Sequence, residues 1–166
     1  IAADNICGRD SRYRGAAGSS VLKVFELTAA ATGLNETAAK KAGLDADTVI
    51  LSPMSHAGYY PGGKVMTVKV VFEKGSYRLL GAQIVGYDGV DKRIDVLATA
   101  LQAGLTGPQL KELDLAYAPP YSSAKDPVNM AGFVAENVLK GLWKPFFPQD
   151  VANIPEGAFK LDVRNP

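Results

Sequence analysis

Few residue types in this sequence could do chemistry. The chain holds one histidine, His56, one cysteine, Cys7, and seven tyrosines. Four of the tyrosines stand in two proline- and glycine-bounded stretches. Tyr59 and Tyr60 lie in "SHAGYYPGGK" (55–64), and Tyr117 and Tyr121 lie in "LDLAYAPPYSSAKDPVNM" (113–130). Pro119 and Pro120 stiffen the second stretch, while Pro61 and its glycines shape the first. A phenol keeps its proton at neutral pH because its pKa is about 10, so it is a standing O–H donor. Two readings stand side by side. The rings could fill a core edge with the hydroxyl wet. Alternatively, the loops could present phenol O–H groups to a reaction, since restricted loops on a scaffold are where sites tend to sit.

Other chemistries find little support. One His and one Cys do not make a zinc site, and no acidic cluster has calcium-loop spacing; no metal is expected. A serine triad could use only His56, and no G-x-S-x-G elbow is present. Ser122 and Lys125 have Ser-x-x-Lys spacing, but no S-D-N or K-T-G accompanies them, so the match reads as chance in a loop. No G-x-G-x-x-G or P-loop occurs. "YPGGK" could form an anion nest around Lys64, though a plain turn accounts for it. His56 alone reads as a satisfied polar side chain. Cys7, with Arg9 just beyond it, reads as a structural thiol without a resolving partner. Arg9, Arg12 and Arg14 read as a solvated loop.

The elements that must position these loops follow from periodicity. Residues 8–20 are polar and glycine-rich and read as loop. Residues 20–34 read as an interrupted strand. A helix follows with Asn35 as cap and Gly43 as stop, then a strand at 47–54 broken at Pro53. Residues 65–86 form the clearest hairpin, turning around Lys74, Gly75 and Ser76. The period then changes: Ile94, Leu97, Leu101 and Leu105 have helical spacing, with Gly104 near the stop. Thr106 and Gln109 have capping-box spacing ahead of a short helix with Pro108 in its first turn. The last helix has Asp126 as N-cap, Pro127 as first helical residue and Gly141 as stop. Its small residues Ala131, Gly132 and Ala135 would let something pack closely. Strands first and helices later imply an α+β fold, an antiparallel sheet with helices packed on one face.

The bulk numbers suit one folded domain with a tail. Of 166 residues 47% are apolar, and the net charge is +1 with both signs interspersed. This excludes the strongly basic profile of a nucleic-acid or membrane-surface binder. No apolar run approaches the roughly 18–20 residues of a membrane span, and no signal peptide is expected. A single cysteine suits a reducing compartment, so a cytoplasmic chain is expected. Both ends read as interrupted. "IAADNICG" (1–8) has the form of the last turns of a helix stopped by Gly8. After Gly141 the composition shifts to three prolines and aromatics, and "FKLDV" (159–163) has the form of a strand without a partner. The expected organisation is an incoming helix end (1–8), one domain (9–141), and a linker with the start of another unit (142–166).

The segments "IAADNICG", "SHAGYYPGGK", "LLGAQIVGYDGVDKRIDVLATAL" (79–101) and "LAYAPPYSSAKDPVNMAGFVAENVL" (115–139) together resemble the C-terminal dimerisation domain of the pyridine nucleotide-disulfide oxidoreductases. The resemblance is closest to the coenzyme A-disulfide reductase branch, which includes persulfide and polysulfide reductases and related NADH oxidases. "IPEGAFKLDVRNP" (154–166) resembles the start of a rhodanese domain. The resemblance implies a homodimer whose full-length protein uses FAD and NAD(P)H on a coenzyme A-linked sulfur substrate. It implies that Tyr59 and Tyr117 reach the partner subunit's site, with Ala118 and Pro119 beside the flavin. Tyr60 adjoins Tyr59 and leaves that choice open, with Tyr59 preferred. No cofactor is expected to bind these 166 residues alone. Two alternatives remain: an association module without catalytic duty, and the domain of an NADH oxidase or peroxidase of the same family.

Overall fold

The computed structural model describes residues 1–162. A short helix α1 (Ala2–Ile6) opens the chain and buries none of its residues. Five strands follow: β1 (Ser20–Val24), β2 (Leu27–Gly33), β3 (Ala46–Leu51), β4 (Met66–Glu73) and β5 (Leu79–Gly86). They form one sheet in the order β1-β2-β5-β4-β3, and every pairing is antiparallel. The interruption expected in residues 20–34 is a hairpin turn at Phe25 and Glu26. Phe25 takes the left-handed backbone (φ 52°) and is exposed.

Alternation along β4 sorts the two faces. Met66, Val68, Val70 and Phe72 point into the main core, with Ala82 and Ile84 of β5 beside them. Helix α3 (Val90–Gln102) and helix α4 (Pro127–Leu139) lie over that face, contributing Ile94, Leu97, Val128, Ala131 and Ala135. Val71 points the opposite way. There it meets Leu80 and Ala39 of the short helix α2 (Glu36–Lys41), which closes one end of the other face. Asn35 caps α2 by accepting from the Ala38 N–H at 2.8 Å.

Residues 106–112 run differently from an α-helix. Pro108–Glu112 is a 3-10 helix. Gln109 does reach back to Thr106, accepting from its N–H at 2.8 Å, as the capping-box spacing implies. Helix α4 begins as its sequence dictates: Asp126 accepts from the Val128 N–H at 3.0 Å, and Asn129 returns an acceptor to the Asp126 N–H at 3.1 Å. These reciprocal bonds satisfy N–H groups that a helix start leaves orphaned.

The small residues of α4 serve the domain itself. Ala131 and Ala135 are fully buried. A Cβ on Gly132 would lie 2.3 Å from the Lys111 backbone nitrogen. The close approach inferred from these residues is therefore to the 3-10 helix of the same chain, and they offer no argument for a contact between copies.

Beyond Gly141 the chain runs as exposed loop with a 3-10 turn at Pro148–Asn153. Residues 159–162 form no strand, and Leu161 is exposed. Val163, the last residue of the expected strand run, lies outside the described residues.

Candidate functional site

The two tyrosine loops meet. Residues 55–64 connect β3 to β4, and residues 113–126 lead from the 3-10 helix into α4. The hydroxyls of Tyr59 and Tyr117 are 2.8 Å apart, across 58 positions of sequence. Both rings are exposed, Tyr59 at 77% and Tyr117 at 46%, so this contact is not core packing. In such a pair one phenol donates and the other accepts, and the acceptor's own O–H stays free for a third group. The Tyr117 phenol is raised above its ordinary pKa, first by its hydrogen bond with Tyr59 and next by burial. Either hydroxyl can donate in this pair, and the one that accepts keeps its own O–H for what lies outside.

Their sequence neighbours do other things. Tyr60 is also exposed, and its ring meets His56 edge-on, with ring centroids 5.7 Å apart. His56 is buried, and its Nδ1 donates to the Ala57 carbonyl at 3.1 Å. It is a satisfied polar side chain. Tyr121 is exposed and does not join the phenol pair. The turn between Tyr117 and Tyr121 closes on Ala118, whose carbonyl accepts from the Tyr121 N–H at 2.9 Å and the Ser122 N–H at 3.1 Å. Pro119 and Pro120 supply the rigid corner of that turn. Ala118 and Pro119 are half-buried beside Tyr117.

A cleft of about 420 Å³ opens next to the pair. Tyr117, Ala118, Pro120 and Tyr121 form one wall, and Asp88, Gly89 and Lys92 at the start of α3 form the other. Its floor holds a charged residue that the sequence reading passed over. Arg93 is 2% exposed. Its Nη2 donates to the Asp126 carboxylate at 2.9 Å and its Nε to the same carboxylate at 3.1 Å. Nη2 also donates to the Ser55 carbonyl at 2.8 Å and the Tyr121 carbonyl at 3.2 Å, and Nη1 donates to the Gly89 carbonyl at 3.2 Å. The signal was present: positions 93, 97 and 100 share one helix face, and Leu97 and Ala100 are apolar. A lone charge on a buried stripe needs a partner. Gly89, with φ 66°, makes room for it, since a Cβ there would lie 2.1 Å from Nη1.

Ser122 donates its hydroxyl to Asp126 at 2.6 Å and is fully buried. It is part of this network, and the Ser-x-x-Lys spacing is coincidental. Cys7 is exposed and unpaired in this chain. Asp4 rather than Cys7 meets Arg9, at 3.5 Å. No helix is long and apolar enough to cross a membrane among the described residues.

Comparison with known proteins identifies the domain. Residues 19–127 match the family model "Pyridine nucleotide-disulphide oxidoreductase, dimerisation domain". The chain is 40% identical over 137 residues to the coenzyme A disulfide reductase of Staphylococcus epidermidis, covering 82% of this chain and 31% of that protein. It superposes on the crystal structure of reduced Bacillus anthracis CoADR-RHD with a TM-score of 0.87 at 49% identity, covering 92% of this chain and 28% of that one. It also superposes on an NAD-dependent persulfide reductase from A. fulgidus with a TM-score of 0.82 at 50% identity, covering 85% and 26%. The chain thus spans less than a third of the length of these relatives.

Proposed function

We infer that this chain, which belongs to the dimerisation-domain family of the pyridine nucleotide-disulphide oxidoreductases, completes the active site of a coenzyme A-linked disulfide, persulfide or polysulfide reductase across a two-fold axis. The observation that carries the reading is the exposed Tyr59–Tyr117 hydroxyl pair, held between two loops with no packing need for it. The parent protein is taken as a cytoplasmic homodimer with domain limits near residues 8 and 141. Residues 142–166 are taken as a linker running into a rhodanese-like unit.

The role suits phenols. When the sulfur–sulfur bond of the substrate breaks, one sulfur leaves with the electron pair as a thiolate. Whichever phenol of the pair accepts from the other donates its own O–H to that anion. The donation it receives polarises that O–H and makes it a better donor. A hydrogen bond to a charged group contributes about 1.5–3 kcal/mol. It is present only once charge develops on sulfur, so it lowers the barrier rather than the substrate's ground state.

The 166 residues carry no dinucleotide fingerprint, so FAD and NAD(P)H would be held mainly by the rest of the protein. Ala118 and Pro119, half-buried on the rigid turn beside Tyr117, fit a supporting contact to a flat ring system. Flavin, when bound, would take hydride from the nicotinamide and supply the electron pair for disulfide reduction. This chain's own contribution is a shaped wall and two oriented O–H groups.

Tyr117→Phe in the full-length protein tests the reading by pre-steady-state kinetics. Reduction of coenzyme A disulfide should slow about ten- to a hundredfold, as loss of 1.5–3 kcal/mol implies. Flavin reduction by NADH should be unchanged. Disulfide reduction at the wild-type rate would return the pair to an incidental surface contact.

A further inference from the structure

We infer that Arg93 is a positioning residue that sets the separation of the two phenols, acting from beneath the site through the backbones of both tyrosine loops. The inference builds on the proposed role of the phenol pair. Among the described residues, the only side-chain hydrogen bond from the Tyr59 loop to the Tyr117 loop is the one between the hydroxyls, and both rings are exposed. Their spacing must be fixed below them. One guanidinium does this. Nη2 holds the Ser55 carbonyl, four residues before Tyr59, and the Tyr121 carbonyl, four residues after Tyr117. The same nitrogen and Nε hold Asp126, which caps α4, and Nη1 holds Gly89 at the start of α3. A backbone bond beside it, from the Ala57 N–H to the Ser122 carbonyl at 3.0 Å, zips the two loops together.

The shape of the side chain matters more than its charge. A guanidinium presents five N–H groups in a rigid planar fork, and the fork spans all four segments at once. A lysine would keep the ion pair with Asp126 but reach fewer carbonyls, so the loops would drift. The carboxylate of Asp126, the Ser122 hydroxyl at 3.3 Å and Lys92, 4.0 Å from Asp126, are the charged and polar groups around it. All of them are anchored within the network rather than at the phenols.

The test places 3-fluorotyrosine at position 59 of the full-length protein and reads its fluorine resonance, a probe of the hydroxyl's surroundings independent of activity. Tyr117→Phe defines the resonance without the contact. Arg93→Lys should move the resonance to that same position and slow disulfide reduction about ten- to a hundredfold, with the KM for NADH unchanged. Leu80→Ala, a truncation in the separate apolar cluster that Leu80 forms with Val71 and Ala39 on the other face of the sheet, controls for general loosening and should leave the resonance in place. If Arg93→Lys does not fold, Asp126→Asn, which keeps size and helix-capping ability, decides by the same criterion. An unmoved resonance in the Arg93 variant overturns the inference, as does an equal shift in Leu80→Ala. If Tyr117→Phe itself leaves the resonance unmoved, there is no contact for Arg93 to set and the inference falls. If the resonances behave as expected while Tyr117→Phe reduces disulfide at the wild-type rate, the catalytic reading fails and the positioning role stands.

Discussion

Tyr117 makes a pH prediction with a defined sign. Its pKa is raised, first by the bond with Tyr59 and next by burial. A raised phenol pKa means the folded state favours the protonated form. The loop contact is therefore complete below the ordinary phenol value of about 10 and is lost as pH rises through the higher folded value. The rate of disulfide reduction should stay level through neutral and mildly alkaline pH and fall only above that. Tyr59→Phe removes the main cause of the shift, so the alkaline limb should move down toward the ordinary value. A pH–rate profile that is identical in both proteins would show that the phenol pair does not govern the limb. The double variant Tyr59→Phe/Tyr117→Phe should cost less than the sum of the singles, because both phenols serve one sulfur. Glycine-bounded tyrosines were visible in the sequence, but their pairing was not. Tyr59 and Tyr60 differ only in which way the loop turns. That direction is set by His56 beneath Tyr60 and by the carbonyl contacts of Arg93, and no local pattern encodes either.

The elements were legible wherever a cap or a period spoke. Asn35, Asp126 and Pro127 mark helix starts because each satisfies or dispenses with an orphaned N–H. The alternation of β4 and β5 marks the central hairpin. The 3-10 helix was read only as a short helix, since its geometry is imposed by its neighbour. Gly132 lets the Lys111 backbone press onto α4, and Asn129 reaches across to the Leu110 and Leu113 carbonyls at 3.1 and 2.9 Å. Lys111 completes the seam with Glu136 at 2.7 Å. The Lys111 ammonium, and then Lys140, hold the Glu136 carboxyl below the usual range. Two substitutions test this seam. Asn129→Ala should destabilise by about 1–3 kcal/mol, because it strands buried carbonyls and breaks the capping box. Gly132→Ala should also destabilise, by about 1–3 kcal/mol of overpacking against rigid backbone. The gain of about 1 kcal/mol in helix propensity would offset only part of that. Denaturant unfolding reads both; a stabilised Gly132→Ala would mean the 3-10 helix moves aside freely.

At the scale of the whole molecule, the phenol pair faces outward into a cleft of about 420 Å³ whose walls come from this one chain. In the proposed role, the free O–H of the pair does nothing until another surface brings sulfur to it. The chain spans 31% of the Staphylococcus epidermidis relative, and the proposal assigns that surface to the rest of the protein or to its partner copy. The proposed two-fold arrangement makes a distinctive prediction. Two inactive variants of the full-length protein are co-expressed, one carrying Tyr59→Phe/Tyr117→Phe and the other lacking the redox cysteine that the family resemblance implies upstream of these residues. If tyrosines act across the two-fold, each mixed dimer contains one site with an intact cysteine from the first variant and intact phenols from the second. With equal expression and random pairing about half the dimers are mixed and half their sites are complete, so about a quarter of wild-type activity should return. If the tyrosines act within their own subunit, no mixed dimer has a complete site and activity stays at the level of the single variants. Purifying the mixed dimer through two different affinity tags raises the expected recovery to about half, one site of the two in each C2 pair. A mixed dimer that forms but stays inactive would assign the phenols to the subunit that carries them.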